Sequence, residues 1–192
     1  MLYAVNIFVL SEDPVEAAQM QCDKHVVKMI LESGQMLCAA HPPGSAPWKR
    51  THYNHPCTVW ARTSTGNYEW LAVHGLALCE EYTRRYGKRH KSEDVLLWCA
   101  ENVPKEVPEG PRTPFVVAIK NREYHLIDAV ASYRAYYLGD KVRFARWRHS
   151  EPPTWWKSGE GGGVVGPTED VIVGAVALNG HVIADSRIDQ GD

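Results

Sequence analysis

Residues 21–35 concentrate ionisable side chains on one segment of helical periodicity. Apolar residues at i, i+3, i+4 and i+7 spacing predict a helix, and the ionisable side chains fall on a stripe beside the apolar face. Cations this close lower one another's pKa, which can make a lysine nucleophilic or an anion site strong. A solvated helix face with ordinary Lys–Glu pairs is the alternative. The candidate catalytic residues here are Asp23, Lys24, His25, Lys28 and Glu32.

Residues 51–60 form a second dense motif, with two imidazoles, a carboxamide, a thiol and an indole at a predicted helix start. Unpaired N–H groups at a helix N-terminus favour anions, so this motif could bind a phosphate. Alternatively, Asn54 is an ordinary loop residue and Trp60 belongs to the core. We take His55 and Cys57 as candidate catalytic residues, and Asn54, Trp60 and Arg62 as candidate contacts to a nucleic acid.

The net charge of −2 hides an asymmetry, since residues 158–192 carry a balance of −5 and residues 1–157 carry +3. Basic clusters occur at residues 84–91 and 141–148, and aromatic residues interleave the second cluster. Basic and aromatic side chains together favour a polyanion whose bases can be stacked, although cations also suit a helix C-terminus. A tryptophan pair near residue 155 could wedge into DNA or pack on the helices. The predicted DNA contacts of this region are Arg143, Arg146, Trp155 and Trp156.

The five cysteines are scattered along the chain, which predicts free thiols in a reducing cytoplasm. The sequence contains no run of 18 apolar residues, so we expect no membrane-spanning helix. The spacing of the candidate zinc ligands matches no compact zinc pattern; these ligands are Cys22, His25, His52, His55 and Cys57. The glycine run at residues 161–163 lacks the Lys-Ser/Thr of a phosphate-binding loop. We therefore expect no metal and no cofactor.

The periodicity predicts a mainly α protein, a helical single domain with a small β element. The β element would combine an N-terminal strand at residues 3–10 with a C-terminal hairpin around the Asn179-Gly180 turn. The expected divisions are a helical domain at 1–157, a glycine-rich linker at 158–166 and an acidic hairpin tail at 167–192. Helices are expected at residues 14–40, 56–62, 67–86, 93–102 and 128–138, and a proline-rich extended connector at residues 104–114.

Several motifs resemble those of the phage proteins called pyrimidine-dimer DNA glycosylases, in the expected order over about residues 5–156. The two most specific are NIFVL at residues 6–10, continuing through DP and AA, and CDKHVVKM at residues 22–29. Further matches are NHPCTVW at 54–60, EYTRRYGK at 81–88, TPF at 113–115, YRAYY at 133–137 and PTWW at 153–156.

The resemblance implies a largely helical enzyme that acts on thymine dimers in duplex DNA. Enzymes of the endonuclease V type use an N-terminal α-amine as nucleophile, beside a helix glutamate and helix arginines. Here Leu2 is bulky, so we expect Met1 to be retained. Lys24 or Lys28 would then supply the Schiff-base amine, with Asp23 or Glu32 handling protons.

A second branch of the resemblance replaces an activated 5-methyl substituent of thymine with an amino acid. In this branch the leaving phosphate would be held by Lys24, His25 and Lys28. The base would be Asp23, His25 or His55. A thiolate of Cys22 or Cys57 could add to the pyrimidine ring. Both branches need a base flipped out of the stack. We expect double-stranded DNA as partner in the cytoplasm of an infected bacterial host, with a free amino acid as co-substrate in the transfer branch, and a homodimer as one assembly. A non-catalytic DNA-binding protein is the third interpretation.

Overall fold

A computed structural model describes residues 5–156, which fold mainly into α-helices. The helices pack on one another through α2 and α4, with α1, α3 and α5 around that central pair. A 3₁₀ turn at Arg122–Tyr124 precedes α6, and a π-helical segment at Tyr137–Lys141 follows it. The α-helices are α1 (Pro14–Met20), α2 (Asp23–Ala40), α3 (Pro56–Ala61), α4 (Thr65–Tyr86), α5 (Glu93–Glu101) and α6 (Ala129–Tyr136).

The single helix predicted for residues 14–40 is wrong, because the chain breaks between α1 and α2 at Gln21 and Cys22. Both residues have extended backbone angles. The guanidinium of Arg85 in α4 fills the break and donates to the carbonyl oxygens of Gln19 and Gln21, at 3.0 and 2.9 Å. The indole of Trp147 donates to the carbonyl of Met20 at 3.1 Å. Tertiary donors therefore replace the helical hydrogen bonds that the break removes.

The predicted starts of α1 and α6 agree with the structure within one residue, and a capping side chain is present at both. Asp13 caps α1 and Asp128 caps α6, each through backbone N–H groups of the first turn. Gly87 ends α4 with a φ of 65°, a conformation that glycine adopts at no steric cost. The helix predicted to start at residue 67 starts at Thr65, so that Gly66 lies in the first turn of α4. There the backbone of residues 110–112 packs so closely that a Cβ on Gly66 would clash. The close approach explains the glycine.

The predicted β element is not present in the part of the chain that the structure describes, since residues 5–156 contain no strand. Residues 5–10 are irregular and mostly buried. The linker and the hairpin predicted for residues 158–192 lie outside the described residues.

The core consists of the apolar faces of α2 and α4 and of aromatic residues from the C-terminal half. Gly34 lies in the middle of α2, where the ring of Trp48 would lie 2.7 Å from an added Cβ. All five cysteines are free and buried. None of the helices in the described range is both long and apolar enough to span a bilayer.

Candidate active site and nucleic-acid interface

The Glu32 carboxylate is the central charged group of the predicted stripe, and its side chain is only 5% exposed. One oxygen accepts a hydrogen bond from the backbone N–H of Asn6 at 2.8 Å, and the other lies 2.8 Å from the Nζ of Lys28. Burial raises the pKa of Glu32, while Lys28, the Asn6 N–H and His52 act in the opposite direction. The carboxylate is thus a stronger base than a solvent-exposed glutamate, and it has an amine within hydrogen-bonding distance.

The loop that contacts Glu32 has an unusual backbone at Phe8. The side-chain oxygen of Asn6 accepts hydrogen bonds from the N–H groups of Ile7 and Phe8, at 2.8 and 3.1 Å. Phe8 has a φ of 55°, which is uncommon for a residue with a side chain. The resulting turn places the Phe8 ring against the imidazole of His25, with centroids 4.1 Å apart. The turn therefore positions both a donor for Glu32 and a wall for His25.

The His25 imidazole is buried between aromatic rings, one turn from Lys28 along α2. Its Nδ1 forms a hydrogen bond with the hydroxyl of Tyr137, and Phe144 packs edge-on at 5.6 Å. Burial lowers the pKa of His25 to about 3, with Lys141 and Lys28 adding repulsion. His25 is therefore a neutral imidazole at physiological pH. We call Asn6, Phe8, His25, Lys28 and Glu32 the Glu32 cluster.

Lys141 is enclosed by aromatic rings beside the Glu32 cluster. Its Nζ lies 4.1 Å from the Tyr136 ring centroid and 5.9 and 5.8 Å from those of Phe8 and Phe144. It also donates to the Tyr136 hydroxyl and to Asp140, each at 2.8 Å. This arrangement holds a cation by ring faces as well as by a carboxylate.

The second motif borders Glu32, since both His52 and Cys57 interact electrostatically with the carboxylate. His52 has a φ of 50°, and its two ring nitrogens are buried and make no hydrogen bond within residues 5–156. The ring of His55 accepts from the Cys57 N–H at 3.3 Å and so caps α3. Burial, the largest effect, raises the pKa of the Cys57 thiol to about 12. In the described structure, His55 has a structural role and Cys57 is a thiol.

Three of the predicted DNA contacts are at least partly engaged within the protein. Trp60 is 3% exposed, packs against Phe115 and donates to the Pro114 carbonyl at 3.0 Å, so no ring face is open to a base. Arg62 stacks on the Tyr53 ring at 3.8 Å and donates to its carbonyl. Arg146 donates to the Val142 and Ala145 carbonyls. The cation of Arg62 remains near the surface, as does that of Arg146.

The other candidates differ in exposure. Asn54 is exposed, and the Arg143 side chain is 74% exposed. Trp155 and Trp156 are half-buried. The Trp155 indole lies 6.0 Å from the Tyr137 ring, and Trp156 packs 4.8 Å from Trp147. These contacts favour the interpretation in which the tryptophan pair packs on the rest of the protein, over the one in which it wedges into DNA.

A cavity of about 370 Å³ lies at the N-terminus of α2 and is lined mainly by cationic and aromatic side chains. We call it the cationic cavity. A larger one, of about 550 Å³ between α4 and α5, is lined by none of the predicted site residues. The residues of the cationic cavity are Asp23, Lys24, Tyr86, Arg143, Phe144, Arg146, Arg148 and His149.

Asp23 links α2 to Arg85 of α4 with one carboxylate oxygen and to the backbone of the cationic cavity with the other. One oxygen accepts from Arg85 at 3.1 Å and the other from the backbone N–H of Arg148 at 2.8 Å. The backbone N–H of Asp23 donates to the Arg146 carbonyl at 2.9 Å. Lys24 lies on the neighbouring wall, 5.1 Å from the Phe144 ring. Asp23 thus holds residues 146–148 against α2.

The structure brings together residues that sequence reasoning separated or missed. Asn6, Phe8, Tyr137 and Lys141 contact or border the candidate site residues, although the sequence singled out only the motifs and clusters that contain them. Asn6 had a usable signal, because a carboxamide inside an apolar run needs hydrogen-bond partners. In the described residues, no group of three or more His, Cys, Asp or Glu side chains is arranged to hold a metal ion.

The N-terminal half of the chain, which contains the candidate catalytic residues, resembles a known protein family. Residues 5–94 match the family model described as pyrimidine dimer DNA glycosylase. No curated protein and no solved structure shows significant similarity to the chain. The matched range contains Asn6, His25, Lys28 and Glu32, and also the start of the cationic cavity at Asp23 and Lys24. Over residues 5–94, therefore, the chain is similar to the pyrimidine dimer DNA glycosylase family, as its motifs predicted, and the family name indicates an enzyme that acts on DNA.

Proposed function

We propose that this protein excises a damaged pyrimidine base from double-stranded DNA by glycosylase/lyase chemistry, with Lys28 as the amine and Glu32 as the proton acceptor. One observation carries the proposal: within the range that matches the family, a half-exposed lysine lies 2.8 Å from a buried carboxylate. A lysine that attacks must first lose a proton, and a glutamate with a raised pKa is the adjacent group that can accept it.

The proposed reaction begins with a pyrimidine nucleotide turned out of the helix. The neutral amine of Lys28 attacks C1′, the glycosidic bond breaks, and the base leaves with the bonding electrons. The C1′–nitrogen intermediate loses a proton and the sugar ring opens, which gives an imine between Lys28 and the sugar. Glu32 accepts the proton of the amine and returns protons in later steps. Loss of a C2′ proton from the imine expels the 3′ phosphate, which is the strand-breaking lyase step, and hydrolysis of the remaining imine frees the enzyme.

The surrounding residues support this assignment. His25 is held neutral by burial, so it adds no positive charge beside the amine. The Asn6 N–H fixes one Glu32 oxygen and leaves the other directed at Lys28. Lys24 lies instead on the wall of the cationic cavity, over Phe144. We therefore assign Lys24 to DNA binding and treat it as the second candidate amine.

Borohydride trapping tests the proposal directly, because reduction converts an imine into a stable covalent adduct with DNA. The unmodified protein should be trapped on a duplex containing a thymine dimer or an abasic site. Lys28→Ala should abolish trapping, and Lys28→Arg should do the same because it keeps the charge without the nucleophile. Lys120→Ala, an exposed lysine elsewhere, is the matched control.

The result for Lys24 decides between the two lysines. Trapping that survives Lys28→Ala but is lost in Lys24→Ala would move the nucleophile to Lys24. Absence of trapping on every substrate, with duplex binding intact, would overturn excision through an imine.

A second candidate function is group transfer to thymine, and the cationic cavity is the observation that favours it. A phosphate leaving group on the 5-methyl substituent would suit Lys24 and the arginines of the cavity. Transfer predicts incorporation of a radiolabelled amino acid into DNA that contains 5-phosphomethyl-deoxyuridine, without loss of the base. Stoichiometric binding with neither product would instead support a non-catalytic DNA-binding protein.

A further inference from the structure

We propose that the cationic cavity is a nucleotide-phosphate site, which binds one phosphate of the nucleic acid beside the Glu32 cluster. The inference deepens the proposed function and rests on it for the identity of the polymer. The phosphate recognition itself is argued from the charge, the rigidity and the walls of the cavity.

The charge balance of the cavity favours an anion. Lys24, Arg143, Arg146 and Arg148 line it against one carboxylate, that of Asp23. That carboxylate is already neutralised, since it accepts from Arg85 at 3.1 Å and from the Arg148 N–H. Arg143 also lies 4.0 Å from Asp140. The four cations that face the cavity nevertheless outnumber these two carboxylates, which leaves a positive potential, and Arg and Lys are the side chains that bind phosphate oxygens.

The cavity is held in shape before any ligand binds. The Arg146 carbonyl accepts from the Asp23 N–H at 2.9 Å, and the Trp147 indole donates to the Met20 carbonyl at 3.1 Å. Both bonds attach the loop of residues 143–149 to the break between α1 and α2. Arg85, with a side chain that is 0% exposed, supports the same junction from α4. A preorganised loop spends less binding free energy on ordering.

The remaining walls are aromatic and fit the sugar or base attached to a phosphate. Tyr86 and His149 lie edge to face, with centroids 5.5 Å apart, and Phe144 forms another wall under Lys24. The volume of about 370 Å³ is in the range of small-molecule sites. Phe144 also packs on His25 at 5.6 Å, so one ring separates the cavity from the Glu32 cluster. A phosphate bound there would fix the register of a strand relative to Lys28.

The phosphate could come from the backbone of DNA or from a free nucleotide. Isothermal titration with thymidine 5′-monophosphate, thymidine and an undamaged duplex separates these sources. We expect the monophosphate to bind and thymidine not to, and a duplex that binds more tightly to displace the monophosphate. Displacement identifies the backbone as the source, whereas a monophosphate that the duplex does not displace identifies a free nucleotide as the ligand of the site.

Arg148→Ala is the variant that locates the site, because it removes the guanidinium but keeps the backbone N–H that binds Asp23. We expect it to weaken monophosphate binding roughly ten- to hundredfold, the effect of losing a charge-assisted hydrogen bond. Arg122→Ala, an exposed arginine outside the cavity, is the matched control and should leave binding unchanged.

Two outcomes would overturn the inference: equal affinity for thymidine and its monophosphate, or unchanged monophosphate affinity in Arg148→Ala with the thermal unfolding midpoint preserved. Borohydride trapping keeps this result separate from the proposed function. A variant that loses phosphate binding but is still trapped at high duplex concentration shows that the two sites are distinct. Failure of trapping with phosphate binding intact would overturn excision alone.

Discussion

Helix α2 carries two polar regions that use similar residue types in opposite ways. In the Glu32 cluster the charges are few and matched, with the buried Glu32 carboxylate between half-exposed Lys28 and a backbone N–H. In the cationic cavity the charges are many, exposed and unbalanced, and the one carboxylate is already bound by Arg85. Burial shifts the pKa of an ionisable group, whereas exposure preserves its charge. The first region is therefore suited to proton transfer and the second to holding an anion.

The two regions meet at Phe144. Its ring contacts Lys24 on the cavity side, at 5.1 Å, and His25 on the cluster side, at 5.6 Å. Apolar rings exclude water, which keeps the low effective dielectric of the cluster beside a solvated, positive surface. A strand could thus be held by charge on one side of the ring while a nucleotide reacts on the other.

The largest expected effect comes from Glu32→Gln, which tests whether the buried cluster performs chemistry. The amide has nearly the same shape but cannot accept a proton, so single-turnover excision should fall by about 10²- to 10⁴-fold. Duplex affinity should stay unchanged because the cationic cavity is intact. Glu101→Gln at the exposed end of α5 is the control. An excision rate close to that of the unmodified protein would remove Glu32 from the mechanism.

The second prediction concerns Arg85, whose buried guanidinium pairs with Asp23 at the edge of the cationic cavity. Arg85→Met should lower the free energy of unfolding by about 3–5 kcal/mol, because Asp23 and Glu81 would keep buried charge without their shared guanidinium. Arg84→Ala is a matched control, since Arg84 pairs with the same Glu81 but its side chain is 54% exposed. Its loss should cost no more than about 1 kcal/mol. Equal losses in urea denaturation would contradict the assigned role of burial.

The pH dependence of stability tests the burial of His25. Its pKa in the folded protein is about 3, below the ordinary 6.5, so its contribution is fully present above pH 6.5 and is lost as the pH falls. Between pH 6.5 and 5 the loss should be about 2 kcal/mol. In His25→Leu the unfolding free energy should depend less steeply on pH, by the equivalent of about one bound proton. Glu32 acts oppositely, because its raised pKa favours the folded state below about pH 4.5 and that contribution fades as the pH rises.

Denaturation curves of the unmodified protein and of His25→Leu at several pH values supply the measurement. An identical slope in both proteins would show that folding does not lower the pKa of His25.

The smallest effect is expected at the rim of the cavity. Arg143 is 74% exposed and lies 4.0 Å from Asp140, so Arg143→Ala should change stability by less than about 0.5 kcal/mol. It should nevertheless reduce the slope of log affinity against log salt by about one, the equivalent of one phosphate contact. Duplex binding measured at several salt concentrations tests this. If the slope of log affinity against log salt in the variant equals that of the unmodified protein, Arg143 does not contact a phosphate. The basic cluster at residues 84–91 would then be the alternative DNA-binding surface.

The sequence by itself determined the helices with strong periodicity and local caps, because those signals act over a few residues. The Asp13 cap, the proline connector and the spacing that aligns Lys28 with Glu32 are all local. The motifs also identified the family that residues 5–94 match. Free cysteines followed from their odd, scattered set.

Only the tertiary structure decided which of the ionisable residues are buried. The break between α1 and α2 depends on Arg85, which lies more than 60 positions further along the chain and supplies donors that no local pattern predicts. The same holds for Asn6, which reaches Glu32 across 26 residues, and for Trp60, which enters the core instead of the surface. A charge on a helix stripe looks alike in sequence whether it is solvated or buried. Long-range packing sets its solvation, and solvation sets its pKa and its chemistry.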